Sequence, residues 1–199
     1  MKVLGLDTTT LYVLLVCAVA LERGVELVIS RRNVRRLLDR GAVEVGAADY
    51  RWMVLLHTGF LLACPLEVLV LERPWLPPLA GAMVAVLAGT MAMRYWVIAS
   101  LRGRWTTRVI CVPGAPPVER GPFRLLAHPN YFAVVLELAA LPLIHTAWLT
   151  ALVFGALNLL VLRRRIRTEN EALLRFAARP ARAPRPAAAE VGDRGLPAD

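Results

Sequence analysis

The sequence predicts an all-α, polytopic membrane protein with about five transmembrane helices, and three observations carry that prediction. The 199-residue chain is 57% hydrophobic with a mean hydropathy of +0.53, yet its formal charge is +9, a combination that soluble domains rarely show. Its apolar runs reach the length of about 20 residues that a helix needs to cross a hydrocarbon core of roughly 30 Å. The arginines fall in blocks: Arg31, Arg32, Arg35, Arg36, Arg40 and Arg51; then Arg102, Arg104, Arg108, Arg120 and Arg124; then Arg163, Arg164, Arg165 and Arg167. Loops that carry such blocks face the cytoplasm.

The first span is expected over Leu11–Ser30, ending at the first arginine block, with no small-residue cleavage pattern to mark a removed signal. Glu22, Arg23 and Glu26 lie in its second half, where they pair with one another or reach towards the headgroups. Trp52–Leu71 is the second span, and the turn Glu72-Arg73-Pro74-Trp75-Leu76-Pro77-Pro78 cannot continue a helix. Leu79–Leu101 is the third, with Arg94 near enough to its end to reach the interface. Trp75, Trp96 and Trp105 occupy aromatic-belt positions.

Residues 102–127 are too polar and too rich in Pro and Gly to span, so they form an interfacial connection. Tyr131–Leu162 is apolar again and is broken near Leu141-Pro142-Leu143-Ile144-His145-Thr146, which reads as a helical hairpin with arms of about 16 residues, roughly 24 Å. The hairpin either crosses with little tilt or dips in and returns. Its buried polar residues Glu137 and Asn158 either bond each other or line a cavity. Arg163–Ala178 continues as an amphipathic helix, and residues 179–199 lack apolar periodicity and are expected to be disordered. This gives three regions: N-terminal membrane helices over 1–101, a core over 102–178, and the tail over 179–199. Five crossings put the N-terminus outside, the C-terminus in the cytoplasm, and all arginine blocks on one side.

The composition also excludes functions. The arginines flank apolar runs rather than forming a soluble face with stacking aromatics, so membrane lipids are the expected counter-charge and nucleic acid is not a partner. Cys17, Cys64 and Cys111 show no metal-ligand or disulfide pattern, and no metal is expected. No two glycines are separated by a single residue, and there is no P-loop, H-E-x-x-H or G-x-S-x-G. What remains is a polar cluster at the hairpin base. Phe123, Arg124, His128, Asn130 and Tyr131 precede it; Arg165, Glu169, Asn170 and Glu171 follow it. A hairpin brings its two ends together. Arg165 and Glu169, four apart, would share a helix face and commonly form a surface ion pair.

The order Trp105-Thr106, Val118-x-x-Gly121-Pro122-Phe123-Arg124, His128-Pro129-Asn130-Tyr131, a hairpin, and Arg165-x-x-x-Glu169 resembles the isoprenylcysteine carboxyl methyltransferase family of integral membrane enzymes. The likeness covers roughly residues 90–175, and the segment from Glu22 to Asn33 resembles bacterial members. The resemblance implies a helical membrane protein with S-adenosylmethionine in a cytosol-facing pocket. Val118, Phe123, His128, Pro129, Asn130, Tyr131 and Glu169 would line that pocket, and Arg165 would face the methyl acceptor. Phe123 stands where the family usually has Tyr, and Asn170 where a second Glu is common.

The implied reaction is O-methylation of a lipophilic acceptor. A prenylated-cysteine carboxylate suits the family name. The Arg- and Ala-rich composition instead resembles bacterial members of an inner membrane, for which long-chain alkylpyrones or alkylresorcinols are implied. Phospholipid N-methylation and a non-enzymatic membrane scaffold or transporter are the competing readings. A carboxylate acceptor needs no general base, being ionised at neutral pH; for a phenolic or pyrone acceptor a base is an open alternative, with His128 the candidate weighed against its implied place in the cofactor pocket.

Overall fold

The computed structural model describes residues 2–3 and 6–177; the tail expected to be disordered lies outside the described residues. Two short strands, β1 (Lys2–Val3) and β2 (Leu6–Asp7), pair antiparallel ahead of the first helix, α1 (Thr8–Asp39). The Asp7 carboxylate caps α1 by accepting from the Thr9 N–H at 3.1 Å.

The helix outruns the apolar span expected over Leu11–Ser30: α1 continues past Ser30 and carries Arg31, Arg32, Arg35 and Arg36 in its last turns. Arginine is a good helix former, and between Ser30 and Gly41 there is neither Pro nor Gly. There the chain turns left-handed (φ +84°), with Gly41 N–H donating to Leu38 C=O at 2.9 Å and Ala42 N–H to Leu37 C=O at 3.0 Å. That pair of bonds satisfies carbonyls that the helix end leaves open.

After β3 (Val43–Val45), α2 runs over Ala47–Val70 and α3 over Pro77–Leu101, with Pro77 and Pro78 in a first turn where a missing N–H costs nothing. Of the described helices, α2 and the segment from Pro77 to Arg104 are long and apolar enough to cross a membrane. The connection after α3 holds β4 (Val109–Cys111), which pairs antiparallel with β3, Val43 opposite Cys111 and Val45 opposite Val109. The hairpin follows as α4 (Pro129–Leu143) and α5 (Trp148–Ala177), with the expected turn between them. The amphipathic extension is continuous with the second arm.

The helices pack α3 on α4, α4 on α5 and α5 on α2. Their shared core includes Tyr12, Phe60, Cys64, Leu87, Leu138 and Leu141. The opposite faces carry Leu21, Leu62, Val70, Leu152 and Leu160 in the open. An apolar exterior this extensive has no place in water and marks a lipid-facing surface. Glu67 of α2 fixes the far end of the hairpin: it pairs with Arg73 at 2.8 Å and accepts the Leu149 and Thr150 N–H groups that open α5. Two placements differ from the sequence reading. Trp105 is buried rather than belted at an interface, and Arg94 is buried in the helix bundle rather than extended to the headgroups. Each has a polar partner inside: the Trp105 carbonyl accepts from Asn33 Nδ2 at 2.8 Å, and Arg94 pairs with Glu137.

Candidate functional site

The connection between α3 and α4 is short of regular structure, so its position depends on side chains from the end of α1. Ser30 Oγ accepts from Thr107 N–H at 2.8 Å and bonds Thr107 Oγ1 at 2.9 Å. The β3–β4 pairing holds the same segment against the α1–α2 corner. Further along, Gly121 adopts φ +62° in a tight 3₁₀ turn over Gly121–Arg124, packed so closely on α3 that an added Cβ would lie 2.1 Å from Ser100 Oγ. That turn delivers Phe123.

His128 stands at the N-cap of α4, and Pro129 and Asn130 open the helix. The imidazole stacks on the Tyr131 ring, centroids 5.3 Å apart and planes within 21°. From α5, Arg165 reaches across the gap: Nε donates to Tyr131 Oη at 3.0 Å, Nη1 contacts Met53 Sδ at 3.1 Å, and Nη2 donates to the Thr107 carbonyl. The Tyr131 hydroxyl in turn donates to the Glu169 carboxylate. The surface ion pair expected between Arg165 and Glu169 is therefore replaced by a relay through Tyr131, because α4 packs its first turn between the two side chains.

These groups face one cavity of about 520 Å³, within the range of small-molecule sites. Val118, Phe123, His128, Pro129, Asn130, Tyr131, Arg165 and Glu169 all line it. Arg124, Asn170 and Glu171, which the sequence grouped with them, are exposed and do not. Asn130 Oδ1 is buried with no hydrogen-bond partner among the described residues, an acceptor left open at the cavity wall. Cys111 also borders the cavity. Burial pushes its thiol up, and Glu169 adds to the effect, so the sulfur is held as a neutral thiol and not as a nucleophile.

The cavity continues from this polar rim into the helix bundle, where Glu137 and Asn158 border it, as one of the two alternatives read from the sequence has it; the ion cluster around Glu137 and the place of His57 are what sequence reasoning missed. On α4, Glu137 lies six residues below Tyr131, about 9 Å along the helix. It pairs with Arg94 of α3 and lies 3.6 Å from Arg23 of α1, while Arg23 also binds Glu22 and Glu26 at 2.5 and 2.7 Å. Glu26 is 3.6 Å from Arg94. The local pairing expected within α1 is present, but Glu137 bonds Arg94 and not Asn158, which borders the cavity from α5. His57 of α2 completes this deep wall. The same signal that drew attention to Glu137, an ionisable residue inside an apolar span, would have found His57 on α2.

Comparison with known proteins agrees with this arrangement. A model of the isoprenylcysteine carboxyl methyltransferase family matches residues 82–175, the stretch from α3 to the end of the polar part of α5. The chain is 32% identical to the uncharacterized protein YpbQ of Bacillus subtilis strain 168 over 168 residues, which is 82% of this chain and 97% of that one. It is 30% identical to an uncharacterized protein of Haemophilus influenzae over 158 residues, 79% of this chain and 91% of the relative. No solved structure matches. The likeness to YpbQ runs over nearly the whole of that relative, and the family match spans the segments that form the cavity's polar rim: the chain belongs to the isoprenylcysteine carboxyl methyltransferase family, whose members are membrane methyltransferases.

Proposed function

We propose that the protein is an S-adenosylmethionine-dependent O-methyltransferase acting on a lipophilic, membrane-partitioned acceptor, either a polyketide-type alkylresorcinol or alkylpyrone hydroxyl or a prenylcysteine carboxylate. The observation that carries this reading is the single cavity in which a polar rim of His128, Asn130, Tyr131 and Glu169 meets an interior enclosed by apolar helices. Bound at the rim, the cofactor would supply a methyl group already activated on a sulfonium.

The residues present suit such a ligand. Glu169 offers a carboxylate to an ammonium or ribose hydroxyl, and the open Asn130 Oδ1 awaits a donor. The stacked His128 and Tyr131 rings present a π-surface to a purine or a cation. Arg165, fixed by Tyr131, Thr107 and Met53, directs positive charge at the point where rim and interior join, where it orients an anionic oxygen. Holding donor and acceptor in line and excluding water lowers the barrier by several kcal/mol. The arginine blocks support an orientation in a bacterial inner membrane with this rim facing the cytoplasm and the N-terminus outside.

The test is transfer of labelled methyl from S-adenosylmethionine by the purified full chain in detergent, offered a 5-alkylresorcinol, an alkylpyrone and a farnesylcysteine. Label in the organic phase with at least one acceptor is expected, together with loss of cofactor binding by calorimetry in Glu169→Ala. Transfer to none of the three, or label only in added phosphatidylethanolamine, overturns the reading.

A further inference from the structure

We propose that His57 is the general base of the transfer, taking the proton of a hydroxyl acceptor. The inference rests on the methyltransferase reading above and adds a catalytic residue to it.

His57 Nδ1 lies 2.8 Å from the Met53 carbonyl oxygen. A carbonyl only accepts, so Nδ1 carries the hydrogen, and the neutral ring presents its lone pair on Nε2. Nε2 has no partner among the described residues, and the ring borders the cavity. Its place relative to the rim is fixed by Met53: the residue whose carbonyl holds His57 is the one whose sulfur touches Arg165 Nη1. His57 therefore sits one turn deeper on α2, about 6 Å along the helix from the Arg165 contact. His57 and Arg165 thus border the same cavity from neighbouring levels, so an acceptor oxygen oriented by Arg165 has a base within the same space.

The surroundings suit a proton acceptor. The charged groups bearing on His57 are Glu137 of α4, Arg94 of α3 and Arg23 of α1. Glu137 is the carboxylate among them that offsets an imidazolium, and the two guanidiniums keep the resting ring neutral, the form a base needs. A carboxylate substrate would make this base redundant.

The step balances. The acceptor hydroxyl gives its proton to Nε2, and the oxygen forms a bond to the methyl carbon as the methyl–sulfur bond breaks with its electron pair passing to sulfur. The positive charge that leaves the sulfonium reappears on the imidazolium, which releases its proton to solvent when product departs.

The test compares three acceptors in wild type and His57→Gln at about pH 8: a 5-alkylresorcinol, still protonated there; a long-chain nitrophenol, largely ionised; and farnesylcysteine. The variant is expected to lose on the order of 10²- to 10⁴-fold with the resorcinol, the usual contribution of a general base, and less than about tenfold with the ionised nitrophenol. Affinity for S-adenosylhomocysteine by calorimetry is expected to stay within about twofold. With S-adenosylhomocysteine bound, the phenolate absorption of the nitrophenol should appear at lower pH in wild type than in the variant. Should the variant fail to bind S-adenosylhomocysteine, the wild type still decides: a solvent deuterium isotope effect with the resorcinol and not with the nitrophenol supports the base. Equal losses on all acceptors, no loss on any, or no isotope effect overturns the proposal. Wild-type transfer to farnesylcysteine alone overturns it while leaving the methyltransferase reading intact; transfer to none overturns both.

Discussion

Arg165 donates to atoms from three separate segments: Met53 of α2, Thr107 of the connection and Tyr131 of α4. A planar fork can hold all three at once, and a lysine ammonium cannot. Arg165→Lys keeps the charge but frees the Thr107 carbonyl or the Tyr131 hydroxyl, each a hydrogen bond to a charged group of about 1.5–3 kcal/mol. Methyl transfer by Arg165→Lys is expected to fall about 10- to 100-fold, with S-adenosylhomocysteine affinity much less affected, as steady-state rates and calorimetry would show. A rate within threefold of wild type would mean that Arg165 acts only as a diffuse charge. The sequence made Arg165 and Glu169 visible because their spacing puts them on one helix face. It did not make the Tyr131 relay visible, since nothing in a spacing of four tells which residue of another helix enters between them.

At the scale of elements, the hairpin and its amphipathic extension were legible, because apolar runs and the Pro142 interruption dictate them locally. The full length of α1 was not: the charged block marks where the apolar span ends, and the helix runs on past it because the charged residues are good helix formers. The β3–β4 ladder was also missed, since three-residue strands carry too little periodicity to register. The least forgiving element is the turn at Gly121. Its φ of +62° costs any L-residue about 1–2 kcal/mol, and a Cβ there meets Ser100 Oγ at 2.1 Å. Because the turn seats Phe123 at the cavity rim, Gly121→Ala should lower thermal stability and weaken S-adenosylhomocysteine binding by at least about tenfold, whereas Gly81→Ala, in open space on α3, should do neither. Equal behaviour of the two variants in a thermal-shift and calorimetry comparison would show that the turn does not set the rim.

For the whole molecule, the decisive feature is that helices enclosing the cavity are tied together by charge at membrane depth. Glu137 of α4 meets Arg94 of α3 and approaches Arg23 of α1, and Glu26 meets both arginines. Within α1, sequence spacing revealed the Glu22–Arg23–Glu26 contacts; the links to Arg94 and Glu137 required the fold. Such a cluster is weak evidence for stability, since hydrophobic residues of similar volume often replace buried ion pairs without loss, whereas removing one partner strands a charge at a cost of about 3–5 kcal/mol. The two possibilities separate in a double-mutant cycle. Arg94→Leu alone should sharply lower the melting temperature in detergent, Glu137→Leu alone likewise, and the double variant should recover most of the loss. If the double variant is instead as unstable as the two losses added, the pair is not coupled as the coordinates place it. Recovery of stability without recovery of methyl transfer would separate two roles of the pair: spacing α3 and α4 around the cavity, which leucines can replace, and setting the charges that bear on His57, which they cannot.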